Sequence, residues 1–318
     1  MKKVAIVGAG ISGLYLANEL NKNTEIDYKI FEKKDYLNLN EGYGIQLSVN
    51  SINLLNKVGF KNISASDVYY PTKVNFFQAN NIKKICEIDL KQFNNVNDRY
   101  TTLKRSTLIK FLIDNIPEEK IQFKADIQDI EYNEKIKISW DNNNESFDYI
   151  VIADGVFSKL KSQISNNHLN PIFNGNIALR ANLKQHEKDN ISVYMGPNFH
   201  YVTYPVNQKL EYNFVAIIKK KLTTKEIEDK NILNSETFIK SLKDFISKNS
   251  IINLESLANI KCFPVFVSTE LPTLKYQNTY LSGDALFAFP PSFAQGASQS
   301  IETCLLYTSP SPRDNTLS

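Results

Sequence analysis

The stretch Lys2–Leu20, KKVAIVGAGISGLYLANEL, decides the fold. It opens with a short apolar run, Val4 to Val7, of the kind that forms a strand buried on both faces of a parallel sheet. Gly8, Gly10 and Gly13 then complete G-x-G-x-x-G, and Leu14, Leu16, Ala17 and Leu20 continue with helical character. Each glycine has a physical task. Gly8 permits the tight turn, Gly10 lets a diphosphate approach the backbone, and Gly13 lets the helix pack close to the strand. The diphosphate would lie on the free N–H groups at the helix start.

A second strand follows in YKIFEK, and Glu32 stands at its end, 19 residues after Gly13. A carboxylate there can accept both hydroxyls of an adenosine ribose. The strand–loop–helix–strand context makes this a dinucleotide site, and these residues leave NAD and FAD both open.

Composition narrows the class. The chain has 318 residues, 42% hydrophobic and 22% charged, with a net charge of +3, so nothing argues for nucleic acid as a partner. Cys86, Cys262 and Cys304 have no metal-ligand spacing, which gives no metal site and fits a reducing compartment. Glycines interrupt the N-terminal apolar run, and no stretch reaches the ~20 apolar residues of a membrane span. The expectation is a cytoplasmic protein without a membrane span; a homodimer is left open.

Four further stretches frame the rest. EGYGIQLSVNSINLLNKVG (41–59) is a glycine-bearing loop leading into an amphipathic helix, and TTLKRSTLIKFLIDNI (101–116) starts a helix at or near Ser106 beside Arg105. FDYIVIADGVFSKLK (147–161) is a buried strand ending at Asp154-Gly155, and YLSGDALFAFPPSFAQGASQSIE (280–302) is a strand ending at Gly283-Asp284, then a Pro-rich loop and a helix start.

With these motifs in order, the chain resembles the group A FAD-dependent aromatic monooxygenases, which have the para-hydroxybenzoate hydroxylase fold. FNGNIALRANL (173–183), MGPNFHYVTYPV (195–206) and FPVFVSTELPT (263–273) resemble the salicylate hydroxylase and hydroxynicotinate monooxygenase branch. The resemblance implies an α/β fold: a Rossmann-like FAD-binding domain (1–65, 99–165 and 263–303) with an inserted, mostly antiparallel substrate domain (66–98 and 166–262). It implies that Gly8, Gly10, Gly13 and Glu32 hold the ADP half of FAD. Arg105, a fixed bidentate cation suited to an anionic linker, would meet the flavin phosphate or ribityl region. Asp154-Gly155 would serve FAD and the transient nicotinamide, and Asp284 after Gly283 would bind a ribityl hydroxyl. The loop from Pro291 to Gly296 would pass the isoalloxazine ring, with N–H groups near Gln295 and Gly296 offsetting negative charge on it.

The activity so implied is hydroxylation of a small aromatic substrate, phenolic or a hydroxy-aromatic acid, with NAD(P)H and O₂ through a C4a-hydroperoxyflavin. No second G-x-G-x-x-G is present, so the nicotinamide would bind transiently. The branch pattern His-x-x-x-Tyr-Pro assigns His200 and Tyr204, which share strand parity, as base and phenol at the substrate hydroxyl. His168 and His186 stand in polar contexts and read as solvated. There are departures: no His follows Gly283-Asp284, Thr303 stands where Asp is common, and Lys161 stands where Arg is common. Alternative readings are a ubiquinone-biosynthesis hydroxylase of a polyprenyl phenol, or an FAD-binding reductase or sensor without ring hydroxylation.

The segment 222–257 is polar and helical, expected as an outer excursion. The segment 304–318, CLLYTSPSPRDNTLS, matches a translated sequencing adapter, so it is expected to be a non-native tail on a C-terminally truncated chain that retains FAD weakly.

Overall fold

The computed structural model describes residues 1–39, 42–167, 169–183 and 189–305; His168, His186 and the tail beyond 305 lie outside the described residues. A five-stranded parallel sheet runs in the order β18 (Thr279–Leu281), β12 (Tyr149–Ile152), β1 (Lys2–Val7), β2 (Ile26–Glu32), β8 (Ile121–Phe123). Alternation along β1 feeds two cores. Val4 and Ile6 face α1 (Ile11–Leu20), α2 (Val49–Lys57) and α3 (Arg105–Asp114), packing with Leu14, Leu55 and Leu112. Ala5 and Val7 face the other way and pack with Ile150, Ile152 and Trp140. That second core is covered by a hairpin sheet of β9 (Asp129–Tyr132), β10 (Ile136–Trp140) and β11 (Asn143–Phe147), and by α4 (Leu160–Ile164).

The larger sheet has seven strands in the order β17 (Leu257–Val267), β13 (Ile172–Leu183), β16 (Tyr212–Lys219), β15 (Phe199–Pro205), β14 (Ile191–Gly196), β5 (Lys73–Gln78), β6 (Lys84–Asp89). Its ladders are antiparallel except β14 with β5. β17 runs on to Val267, past the domain boundary expected after 262.

Three short helices, α5 (Thr224–Glu228), α6 (Lys230–Leu233) and α7 (Glu236–Asn249), occupy the segment expected as an outer excursion. That expectation is corrected for α7: Phe238, Leu242 and Ile246, spaced at i, i+4 and i+8, are buried against Leu179, Tyr201 and Phe214 of the large sheet. The helix is polar outside and forms the back wall of the sheet.

A third sheet joins the two units: β3 (Gly44–Leu47), β7 (Thr101–Lys104) and β4 (Val68–Tyr69). Gly44 N–H donates to Asn213 Oδ1 at 2.7 Å, Thr102 Oγ1 donates to the Pro205 carbonyl at 2.6 Å, and Lys104 pairs with Glu211. Residues 41–59 are therefore less of a loop than their composition suggests, since β3 occupies four of them. Ser48 caps α2 by accepting from Ser51 N–H. The expected cap at Ser106 is displaced: α3 starts at Arg105 with Lys104 at the cap position, because the β7 ladder continues to Lys104.

Candidate active site

The parallel sheet brings the carboxyl ends of β1, β2, β12 and β18 to one edge, which is where such sheets bind ligands. Gly8 has φ +106°, and a β-carbon on it would sit 2.5 Å from the Ala153 carbonyl oxygen at the end of β12. A β-carbon on Gly13 would collide with the Gly8 carbonyl oxygen. Around Gly10, by contrast, a β-carbon would meet nothing within 4 Å. Gly10 is the cap residue of α1, and no side chain caps the helix there. So the two outer glycines are filled in by protein, while the middle one faces open space beside free helical N–H groups.

Glu32 closes the same loop from β2. It is buried, and its two carboxylate oxygens accept from Ala9 N–H at 2.9 Å and Lys34 N–H at 3.1 Å. Each oxygen keeps a further lone pair for an outside donor. Asp154 lies where Gly8 abuts β12, and its Oδ1 is buried with no hydrogen-bond partner. Burial raises its carboxyl to about 6, against weaker opposing effects of a Ser158 hydrogen bond and the charges of Lys33 and Lys161. Lys161 is buried too, and its ammonium is pushed below the ordinary lysine value by desolvation, partly offset by Asp154. An unsatisfied buried carboxylate oxygen is costly, and at this edge it marks a place where a ligand donor fits. Gly155 follows with φ +93°.

Gly283, with φ +61°, packs against Ser12 of α1 and Ser300 of α8 (Gly296–Glu302), where a β-carbon would come within 3.0 Å of Ser12 Cβ. Ser282 Oγ and Ser12 Oγ share a 2.7 Å hydrogen bond, tying β18 to α1. Asp284 has an exposed side chain. Desolvation raises its carboxyl, and the positive charge of Arg105 lowers it in part. Arg105 N–H donates to the Tyr43 carbonyl at 2.9 Å. Pro291 opens a short 3₁₀ turn, Gln295 caps α8 and Gly296 is its first residue. The structure thus gathers Gly8, Gly10, Gly13, Glu32, Asp154, Gly155, Gly283, Asp284 and Arg105 around one edge, with the loop from Pro291 to Gly296 leading into the helix behind it.

His200 and Tyr204 lie on β15, in the face of the large sheet turned toward β3. Tyr204 is buried, and burial holds its hydroxyl far above the ordinary phenol value, with the charge of Arg180 opposing. Tyr100 O–H donates to Gln46 Oε1 at 2.9 Å beside it. His200 is half-buried, and desolvation holds its imidazole below the usual 6.5. Four residues of strand separate the two by about 13 Å, so they stand at opposite ends of this face.

Register makes the face explicit. One row across the strands reads Phe263, Ala178, Ile217, His200, Met195, and the next reads Lys261, Arg180, Val215, Val202, Val193. Ala178, Ile217 and Val265 form an apolar patch with Val215 and Val267. Met195 (50% exposed) and Phe263 (38%) leave the first row open to solvent at both ends. Arg180 and the Tyr43–Gln46–Tyr100 group were not singled out from sequence. Their signal, a cation at alternate parity in an apolar strand, has meaning only once the register is known.

A dinucleotide edge joined to an apolar, histidine-bearing antiparallel sheet defines a two-unit flavoprotein fold. The family model described as FAD binding domain matches residues 1–305, and the chain belongs to that family. It is similar to salicylate hydroxylase of Pseudomonas putida, at 23% identity over 94% of this chain and 74% of that protein. It is also similar to the FAD-dependent monooxygenase dpfgE of Gibberella zeae, at 26% over 51% of this chain and 36% of the relative. The chain covers only 36%, 42% and 52% of the lengths of dpfgE, asqM of Emericella nidulans and subE of Metarhizium robertsii. Its fold superposes on that of Klebsiella pneumoniae HpxO complexed with FAD and uric acid, with TM-score 0.81 and 15% identity over 96% of this chain and 79% of that one. A salicylate hydroxylase substrate complex gives 0.75 and 18% over 96% and 78%. Among the described residues no helix is long and apolar enough to cross a membrane.

Proposed function

We propose that the protein is an FAD-dependent monooxygenase that hydroxylates a small phenolic or hydroxy-aromatic ring, using O₂ and NAD(P)H. The observation that carries this reading is the joint at β3. It sets an open apolar sheet face bearing a half-buried His200 beside the glycine-loop edge. The likeness to salicylate hydroxylase over most of the chain supports the substrate class.

FAD, when bound, supplies hydride acceptance and activation of O₂. The chain's own residues would hold it in place. The Gly8–Gly13 loop and the first N–H groups of α1 receive the diphosphate, and Glu32 accepts ribose hydroxyls with its remaining lone pairs. Arg105 meets the anionic linker, while Asp154 and Asp284 accept hydroxyl donors along the cofactor. Pro291, Gln295 and Gly296 flank the ring. At the substrate, His200 is the base. Its imidazole is neutral at pH 7 because burial lowers its pKa, so a ring nitrogen can accept the phenol proton and leave the ring electron-rich. Tyr204, on the same face about 13 Å along the strand, would be the phenol that contacts the substrate.

The test is NADH and NADPH oxidation by the FAD-loaded protein with a panel of phenols and hydroxybenzoates, with products identified by mass spectrometry. Substrate-dependent oxidation with an added oxygen atom is expected. Oxidation that is independent of every phenol and yields only peroxide would overturn the reading.

A further inference from the structure

Met195 ends the first row of the sheet face on its solvent side. The sequence holds two methionines, Met1 and Met195, so Met195 is the sole thioether beyond the first residue. On β14 it stands directly opposite His200 of β15, and on its other side it is beside Gln78 of β5. Opposed residues of an antiparallel pair have β-carbons about 5 Å apart, which puts the thioether and the imidazole within reach of each other. The backbone there is fixed, with the Met195 carbonyl accepting from Ala79 N–H at 2.9 Å. Exposure rises along the row, from the buried Ala178 and Ile217 through the half-buried His200 to Met195, at 50%. The thioether therefore lies where the apolar floor meets water.

Among apolar side chains a thioether open to water is distinct, because a peroxide converts it to a sulfoxide. A sulfur lone pair takes one oxygen of hydrogen peroxide, the O–O bond breaks, and the other oxygen leaves as water. Sulfur is oxidised and the peroxide reduced. The oxidant belongs to the proposed reaction: turnover in which O₂ is reduced with no aromatic ring to receive oxygen releases hydrogen peroxide. The product alters the face in two ways. It sets a polar group at the end of an apolar row, and a ligand laid over that row must desolvate it. It also replaces a weak acceptor by a strong one opposite His200, where it can take the imidazole N–H and hold the ring away from a ligand.

We propose that Met195 is an oxidation site whose sulfoxide lowers the affinity of the face for aromatic ligands, so that peroxide from uncoupled turnover silences the site reversibly. The effect on ligands rests on the aromatic-hydroxylase reading above; the oxidation of Met195 does not. Cys86, also exposed, lies on the same face two strands away, and its thiol competes for peroxide.

The experiment uses the FAD-loaded protein carrying Cys86→Ser, which removes the exposed thiol. It is treated with hydrogen peroxide, and the oxidised peptides are identified by mass spectrometry. Affinities for a panel of phenols and hydroxybenzoates are read from the flavin absorbance spectrum before and after treatment. Met195 should gain a single oxygen atom, binding should weaken about 10-fold or more, and FAD content should hold. Methionine sulfoxide reductases for both epimers should restore binding. With Met195→Leu added, affinity should be the same before and after peroxide. A Met195 that stays reduced while Met1, 83% exposed, is oxidised overturns the proposal. So does full oxidation of Met195 with unchanged binding, and both results leave the hydroxylase reading intact. A loss of binding that persists in Met195→Leu, or that resists the reductases, also overturns it. Should Met195→Leu fail to fold, reversal by the reductases decides. Absence of any spectral response to phenols and hydroxybenzoates in the untreated protein would overturn both readings together.

Discussion

A β-carbon placed on Gly44 would lie 2.8 Å from Cε2 of Tyr204, with Asn213 Cβ at 2.6 Å and Val206 Cγ1 at 2.7 Å. At Gly44, strand β3 of the dinucleotide unit therefore lays bare backbone directly against side chains of the substrate unit. Gly44→Ala should push the two units apart and cost roughly 1–3 kcal/mol of stability, the usual range for overpacking. FAD-loaded protein should show a lower Tm, and substrate affinity should fall more than FAD affinity. An unchanged Tm would mean that Tyr204 and Asn213 give way at no cost.

Gly13 is held more tightly, because the colliding atom is the backbone oxygen of Gly8. Gly13→Ala should separate α1 from β1 and abolish FAD retention. Gly10→Ala, where a β-carbon meets no protein atom, should fold normally and lose only cofactor affinity. Cofactor content by absorbance and Tm of the cofactor-free form together distinguish the two outcomes.

Asp154 carries a stability cost that rises with pH. Its folded carboxyl sits at about 6 and its unfolded value is near 3.8, so the fold binds the proton more tightly than the unfolded chain does. Stability of the cofactor-free protein should fall as pH rises through the window from about 4 to about 6. Asp154→Asn should remove this fall and raise Tm at pH 7, by at most about 3 kcal/mol in stability terms, while weakening FAD binding. Denaturant titrations at pH 4.5 and 7 check the sign. A mutant less stable than the parent at pH 7 would show that the carboxylate already has a stabilising partner.

His200 predicts an acid limb. Since burial holds its pKa below the ordinary 6.5, coupled hydroxylation should persist at pH 6.5 and decline only at lower pH. His200→Gln should reduce product formation about 10²- to 10⁴-fold, the range for losing a general base, with FAD content unaltered. Equal losses of product and FAD would make His200 a packing residue.

The dinucleotide edge was legible because its signals are local. Gly8, Gly10 and Gly13 act within one turn, and Glu32 closes the same loop from the next strand. Asp154 and Gly283 also announce themselves as polar or glycine residues ending apolar runs. What sequence could not supply were relationships set by register. The role of α7 as the back wall depends on Phe238, Leu242 and Ile246 meeting Leu179 and Phe214, residues far away in the chain. Arg180 looks like any strand cation until Val215 and Val202 are placed beside it. The helix start at Arg105 rather than Ser106 was decided by a ladder to β3, a long-range pairing that overrode a good capping residue.

The order of the parallel sheet also matters during synthesis. β1 and β12 can pair once the first half of the chain has been made, but β18 must wait for residues 279–281. Until then the outer edge of β12 is unpaired, and Ser12, made near the start, lacks the Ser282 hydroxyl that ties α1 down. The nascent protein therefore carries one open strand edge from the synthesis of β12 until β18 emerges, and that edge is exposed to wrong partners. Its vulnerability to aggregation should be set by how quickly the ribosome then delivers residues 279–281.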